Sequence, residues 1–183
     1  GLSLCAVVLS HNRADALERT LGALGASGLF AVDESSASAP YGVVVADNAS
    51  SDGSPERGAA RFGRVRVERM EGNIGVEAFN IAAEKTDADV LLILDDDAAP
   101  DPRALRRAMA LLARRPDLGA VALHPRHPGD GASEWAAAGL VQGRTTDLWP
   151  MMGCGNLVRR EAWASAGGYE KDYFLYRNDT DLA

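Results

Sequence analysis

Val90-Leu91-Leu92-Ile93-Leu94, followed at once by Asp95-Asp96-Asp97, is the stretch on which the fold turns. An unbroken run of branched apolar side chains has no polar face, which suits a strand buried on both sides in a parallel sheet. The abrupt change to three carboxylates marks the place where that strand reaches the surface. Downstream, Asp101 and Pro102 supply a helix start, Leu105, Met109 and Leu112 its buried side, and Pro116 lies beyond its end. Gly119 to Leu123 reads as a fifth strand. Upstream, Val76, Phe79 and Ala83 mark a helix face, Val65 to Glu68 a short third strand after the Ser54 to Phe62 segment, and Gly42 to Ala46 a second strand. Residues 33–40 are small and polar and form a surface loop. Leu2 to Leu9 reads as the first strand, and Ala14, Leu17, Leu21 and Leu24 recur at helical spacing before Gly25 and Gly28.

This alternation of apolar runs with amphipathic stretches predicts an α/β fold with a mostly parallel central sheet flanked by helices. From His124 to Pro150 the pattern loses its period and predicts an irregular or antiparallel segment. Leu157 to Arg160 reads as a late strand, Glu161 to Ala166 as a short helix, and Arg177 onward as the start of another. No internal repeat is visible.

Composition sets the limits. The 183 residues are 46% hydrophobic and 25% charged, enough for one domain with a real core. The formal charge of −7 and pI of about 4.9 carry the wrong sign for generic binding to nucleic acid or anionic lipid. The longest apolar runs fall far below the roughly 20 residues of a membrane span, and no basic region precedes the first, so a soluble chain is expected. Cys5 and Cys154 are too few for a disulfide framework and read as small buried residues of a reducing, cytoplasmic compartment. Gly1 and Ala183 read as cut or ordering limits, with further chain expected after Ala183.

Asp95, Asp96 and Asp97 stand at the C-terminal end of the most buried strand, the edge where open α/β sheets keep their ligand crevice. Adjacent carboxylates repel, so the cluster is costly unless a cation, donors or water offset it, and hard oxygen ligands suit Mg²⁺ or Mn²⁺. Alternation along an extended segment would put Asp95 and Asp97 on one side. The competing reading is a solvated turn opening the next helix, with Asp101 as its cap. The second strand repeats the arrangement: it delivers Asp47 to the same edge, followed by the polar loop Asn48-Ala49-Ser50-Ser51-Asp52-Gly53-Ser54. Asp47 suits acceptance from a ring N–H or a ribose hydroxyl, whereas turn and cap roles fit Asn48, Ser50 and Asp52 better.

Ser10-His11-Asn12-Arg13, Ala46-Asp47-Asn48-Ala49-Ser50-Ser51-Asp52-Gly53-Ser54, Asn73-Ile74-Gly75 with Asn80, Leu94-Asp95-Asp96-Asp97 with Pro100, and Gly167-Gly168-Tyr169 before Asn178-Asp179-Thr180-Asp181-Leu182 resemble, in order and spacing, glycosyltransferase family 2. The resemblance spans nearly the whole chain. It implies a GT-A-type, Rossmann-like fold and a metal-dependent inverting transferase that uses a nucleotide-diphospho-sugar, with UDP or dTDP as the expected nucleotide. It further implies a nucleoside pocket at Ser10, His11, Asn12, Arg13 and Asp47, with Asn73 beside it. Asp95 and Asp97 correspond to the D-x-D pair, Asp97 as direct ligand of Mg²⁺ or Mn²⁺, with Asp95 or Asp96 serving ribose or coordinated water. Asp179 falls where the family keeps its catalytic base, Asp181 is the backup, and Gly153 to Asn156 would line the acceptor side. On this reading residues 1–183 form one catalytic domain, about 1–123 holding the nucleotide-sugar and about 124–183 the acceptor. The acceptor would be a saccharide or a lipid-linked hydroxyl in polysaccharide or glycoconjugate assembly, handled in the cytoplasm or at the inner face of the membrane.

Two positions depart from the family pattern: Phe79 stands where an Arg often precedes Asn80, and Asn178 stands in place of a Glu before Asp179. Phe79 removes a phosphate contact, and Asn178 alters hydrogen bonding on the acceptor side. Elsewhere, His124 and His127 are separated by prolines that deny them a common helical face, so they read as loop residues. Trp135, Trp149 and Tyr173 are candidates for stacking on an acceptor, against the ordinary alternative of core packing. Arg106-Arg107 and Arg114-Arg115 read as the wet face of a helix, with docking on a membrane surface as the alternative. Two rival functions remain at this stage. A non-catalytic nucleotide-sugar-binding domain would fit Phe79 and Asn178, and a sugar-1-phosphate nucleotidyltransferase would need a Gly-rich loop that Ser10-His11-Asn12-Arg13 lacks.

Overall fold

The structure is a computed structural model, and residues 1–133 and 154–175 are described. Among the described residues strands and helices alternate up to β5: β1 Leu4–Ser10, α1 Ala14–Ala26, β2 Gly42–Asp47, α2 Ser54–Arg61, β3 Arg66–Arg69, α3 Glu77–Ala83, β4 Val90–Asp95, α4 Pro102–Arg114 and β5 Ala120–Ala122, with β6 Asn156–Arg159 and α5 Arg160–Ala166 further along. The strands form one sheet in the order β3-β2-β1-β4-β6-β5. β1 to β4 pair in parallel, and β6 runs antiparallel to both β4 and β5.

Side-chain alternation sorts the sheet's apolar residues into two cores. Val90, Leu92 and Leu94 of β4 join Leu4, Ala6 and Val8 of β1 against Leu17, Leu21 and Leu24 of α1 and Leu105 and Leu112 of α4. Leu91 and Ile93 turn the other way, with Val7, Val44, Phe79, Ala82, Trp163 and Tyr169. Val90 to Leu94 are fully buried, as a strand covered on both faces requires. The expected α/β architecture, with a mostly parallel sheet flanked by helices, is what this sheet shows.

Local chemistry sets the element ends. Asp101 caps α4 by accepting from the N–H groups of Arg103 (2.7 Å) and Ala104 (3.0 Å). After α1, Gly28 takes φ +69°, a left-handed conformation that costs glycine little. β3 starts one residue later than expected, because the Val65 N–H closes a turn onto Phe62 O at 2.9 Å. The polar 33–40 loop contains a single 3₁₀ turn, Glu34–Ser36. His124 and His127 lie in loop, with His124 Nε2 2.5 Å from Ser133 Oγ. Cys5 is buried, as expected, whereas Cys154 is only partly covered.

Candidate active site

Register brings the acidic strand ends together. In the parallel ladder Ser10 lies opposite Asp47 and Leu9 opposite Asp95, so β1, β2 and β4 finish at one edge of the sheet. The loops that follow are tied to each other. His11 Nδ1 lies 2.6 Å from Asn48 O, the Asn12 N–H donates to Ser50 Oγ at 2.9 Å, and the Ser51 N–H donates to Asn12 Oδ1 at 2.7 Å. Asn12 holds φ +52° and Ala49 φ +56°, conformations that non-glycine residues keep only where surrounding bonds enforce them. Asp52 accepts the first N–H of α1, that of Ala14, at 3.0 Å, and also the Ser54 N–H and hydroxyl, so one carboxylate serves both loops. Its titration is accordingly held below the ordinary aspartate value, first by the Ser54 hydroxyl and then by the backbone donors.

Asp47 sits in the floor of this edge and is 1% exposed. Its Oδ2 accepts the Ser50 N–H at 3.3 Å and lies 3.8 Å from Arg69 Nε, while its buried Oδ1 has no hydrogen-bond partner. A buried carboxylate oxygen without a donor is costly, so this atom is a prepared acceptor. Asn48 instead ties down the neighbouring segment: its Nδ2 donates to Gly75 O at 2.9 Å and its Oδ1 accepts the Ile74 N–H at 3.0 Å. Asn73 accepts the Gly75 N–H at 3.1 Å and so helps shape the same turn.

At the end of β4 the extended backbone stops at Asp95, and residues 96 and 97 lie in a turn. Strict alternation therefore does not carry through to Asp97. Asp96 folds inward, and Asp97 stays half exposed. The Arg13 guanidinium bridges them, Nη1 to Asp96 Oδ1 at 3.1 Å and Nη2 to Asp97 Oδ2 at 2.9 Å. Burial pushes the Asp96 carboxyl up. It is opposed by the nearby Ser10 hydroxyl, which lies outside full hydrogen-bond geometry, by Arg13 and by the His11 N–H, while Asp97 adds to the upward push. Thr20 Oγ1 donates to the Asp96 carbonyl at 2.6 Å and fixes the turn from α1. Arg13 thus supplies in this structure the positive charge that the acidic cluster demands.

The donor set fits a hard divalent cation in kind, since Asp95 and Asp97 offer carboxylate oxygens at a reachable sheet edge. Among the described residues no three His, Cys, Asp or Glu side chains converge on one point. Of the sequence-derived candidates, Ser10, His11, Asn12, Arg13, Asp47, Asn73, Asp95, Asp96 and Asp97 are gathered around this edge and the turn beside it. Asp179, Asp181, Asn178, Trp135, Trp149 and Gly153 lie outside the described residues, and Tyr173 is exposed. Sequence reasoning missed Arg69, which donates to Ser50 O at 2.8 Å and Glu56 at 3.0 Å beneath Asp47. Its only signal was a basic residue at the end of a strand that turned out to pair with the end of β2. Thr20 gave no signal beyond its place in a helix.

Comparison with known proteins bears on the fold and the family. The chain is 26% identical, over 78% of its length, to an N-acetylglucosaminyl-diphospho-decaprenol L-rhamnosyltransferase of Mycobacterium tuberculosis. It spans about 60% of the length of the curated relatives it matches. Among solved structures it superposes on a Pyrobaculum calidifontis mannosyltransferase in complex with GDP-Man and Mn²⁺, with a TM-score of 0.74 and 22% identity, covering 99% of this chain and 50% of that one. S. aureus TarS 1–349 in complex with UDP gives a TM-score of 0.72 at 13% identity, covering 99% and 54%. Mannosyl-3-phosphoglycerate synthase from Rubrobacter xylanophilus gives 0.63 at 24%, covering 90% and 56%. These similarities share the GT-A fold. The model of Glycosyl transferase family 2 matches residues 5–177, and the chain belongs to that family.

Proposed function

We propose that this chain is the sugar-transferring domain of an inverting glycosyltransferase that moves a sugar from a nucleoside diphosphate to a hydroxyl acceptor. The observation that carries this is the buried, partnerless Oδ1 of Asp47, placed on the same sheet edge as the β4 carboxylates. One site offers an acceptor for a nucleobase or ribose donor, and its neighbour offers charge that suits a cation with a diphosphate. Residues about 1–123 would hold the donor and about 124–183 the acceptor.

Asp47 accepts from the base, the 11–13 and 48–54 loops frame the nucleoside, and Arg13, beside Asp96 and Asp97, is placed to meet anionic oxygens. Asp97 and Asp95 would hold Mg²⁺ or Mn²⁺, which when bound neutralises charge developing on the departing diphosphate. Asp179 takes the proton of the attacking hydroxyl, with Asp181 as the alternative base, and a single in-line displacement inverts the anomeric carbon. The rhamnosyltransferase relative, by its name, acts on a diphospho-decaprenol sugar. A lipid-linked acceptor at the inner face of a membrane is therefore the acceptor class to try first. No helix among the described residues is long and apolar enough to cross a membrane.

A thermal-shift panel of nucleotide sugars with and without Mn²⁺ tests the donor. A true donor at about 100 times its Kd should add roughly 2.7 kcal/mol of stability. Release of free nucleoside diphosphate with crude lipid-linked acceptors separates a transferase from a domain that merely holds the donor. For Asp179→Asn we expect donor binding to survive while transfer falls at least 100-fold, and retained turnover would move the base to Asp181.

A further inference from the structure

The 1–123 part and the 169–174 segment are tied by a side-chain amide and by a backbone bond that the transfer chemistry itself does not use. Asn80, on α3, makes a two-point pair with the backbone of Tyr169. Its Nδ2 donates to Tyr169 O at 2.8 Å and its Oδ1 accepts the Tyr169 N–H at 2.9 Å. The geometry imitates a peptide pair between strands, made by a side chain across a large sequence separation. It leaves no room for error on the far side. Gly168 has φ +72°, and a Cβ there would lie 2.3 Å from Asn80 Oδ1. Tyr169 is buried beneath the pair, edge-on to Phe79 (centroids 5.6 Å apart) and to Trp163 (5.0 Å). The Arg-to-Phe departure before Asn80 thus has a structural use, since Phe79 packs the ring that the amide pair holds.

A second tie lies one helical turn earlier. The Val76 N–H donates to Phe174 O at 2.7 Å. Gly75 approaches Phe174 so closely that a Cβ would sit 2.0 Å from that same oxygen, and its φ is +63°. Gly75 is in turn gripped by Asn48, the residue that follows Asp47. A continuous path therefore runs from the nucleoside acceptor Asp47 through Asn48, Gly75 and Val76 to Phe174. Asn80 fixes the same segment at Tyr169, and Asp179 follows Phe174 by a few residues in the sequence.

We infer that Asn80 is a positioning residue: it holds the Tyr169–Phe174 segment against α3 so that the chain carrying the catalytic carboxylate is set relative to the bound nucleotide. This rests on the transferase reading above, with Asp179 as base. Asn80 touches neither donor nor acceptor in this account, and its effect belongs in kcat.

The test compares wild type, Asn80→Ala, Asn80→Asp and Gly168→Ala with Val43→Ala, a core truncation in β2 far from the tie. Hydrogen exchange on the free chain should show peptides over 167–175 exchanging at least 10-fold faster in Asn80→Ala, with β1, β2 and β4 unchanged. Affinity for UDP or dTDP with Mn²⁺ should stay within about 3-fold of wild type, and donor KM likewise, while kcat falls at least 30-fold. Asn80→Asp, which keeps the acceptor for the Tyr169 N–H, should recover part of kcat. Gly168→Ala attacks the same pair from the turn that follows α5 and should reproduce the kcat loss. Val43→Ala should lower thermal stability without changing the ratio of turnover to nucleotide-binding capacity. Loss of kcat in Asn80→Ala only in proportion to its folded fraction, equal loss of nucleotide affinity, or unchanged exchange over 167–175 would overturn the proposal. A wild type that neither binds nor releases a nucleoside diphosphate overturns the transferase reading instead, and that failure appears before any variant is made.

Discussion

The ends of β2 and β4 flank the same strand and deliver carboxylates to the same edge, yet they solve the problem of buried negative charge in opposite ways. Asp47 is sealed in, with Oδ2 on the Ser50 N–H and at the longer distance of 3.8 Å from Arg69 Nε, and Oδ1 without a hydrogen-bond partner. The β4 end carries three carboxylates and is compensated by Arg13, which bridges buried Asp96 and half-exposed Asp97. The first arrangement is rigid and waits for a neutral donor of fixed geometry. The second contains one pair, Arg13 with Asp97, whose two partners are both half-exposed, weak by the usual measure of surface pairs and so exchangeable for another cation, while buried Asp96 keeps its own contact with Arg13. On the proposed function, a site that grips a nucleoside and also admits a metal with its polyanion would use one of each.

Removing the exchangeable half should have the largest effect. With Asp97→Ala, calorimetry should show the Mn²⁺-dependent part of UDP or dTDP affinity reduced by about 100-fold or more, equivalent to roughly 2.7 kcal/mol. The weak metal-free binding should remain. An unchanged affinity with Mn²⁺ would remove Asp97 from the metal role and leave Arg13 as the cluster's standing partner.

Asp47→Ala should act differently. A hydrogen bond to a charged group contributes about 1.5–3 kcal/mol, so nucleoside affinity should fall roughly 10- to 100-fold, by the same factor with and without Mn²⁺. If the loss instead vanishes when metal is omitted, the two strand ends act as one site and the contrast drawn between them fails.

Much of this was legible in the residues. Val90 to Leu94 declared a doubly covered strand because no polar face was left, and Asp101-Pro102 declared the start of α4 because a cap acceptor and a missing donor fall where the helix needs them. Carboxylates at strand ends were readable as a site for the same reason: apolar periodicity says where a strand surfaces. What periodicity does not carry is which strands become neighbours. Arg13 meets Asp97 only because β4 lies beside β1, a pairing between residues far apart in sequence, and so its role as counter-ion was invisible. The Asn80 pair with Tyr169 is hidden in the same way. The expectation that Asp95 and Asp97 share a side assumed an extended backbone, and the chain turns at Asp96. β5 itself covers Ala120–Ala122, while backbone bonds from the Leu123 N–H to Gly155 O and from the Arg159 N–H to Gly119 O carry its pairing with the β6 segment to both ends of the expected Gly119 to Leu123 run.

The smallest expected effect tests whether the β2 side owes its rigidity to its loop ties. Asp52 joins the start of α1 to the start of α2, and Asp52→Ala should cost about 1 kcal/mol at pH 7, the usual worth of a helix cap. The sign of its pH dependence follows from the direction of its shift. The folded-state pKa lies below that of the unfolded chain, near 3.9 for an aspartate. Its stabilisation is therefore fully present above that value and disappears as the pH falls through the folded-state pKa. Urea midpoints of wild type and variant should differ at pH 7 and converge as the pH is lowered through the folded-state pKa. Nucleoside affinity should fall only a few-fold, since Asp47 keeps its place in β2. A loss as large as that of Asp47→Ala would mean that the loop, and not the buried oxygen alone, reads the nucleoside. A difference in stability that persists at low pH would mean that Asp52 acts through packing and not as an ionised acceptor.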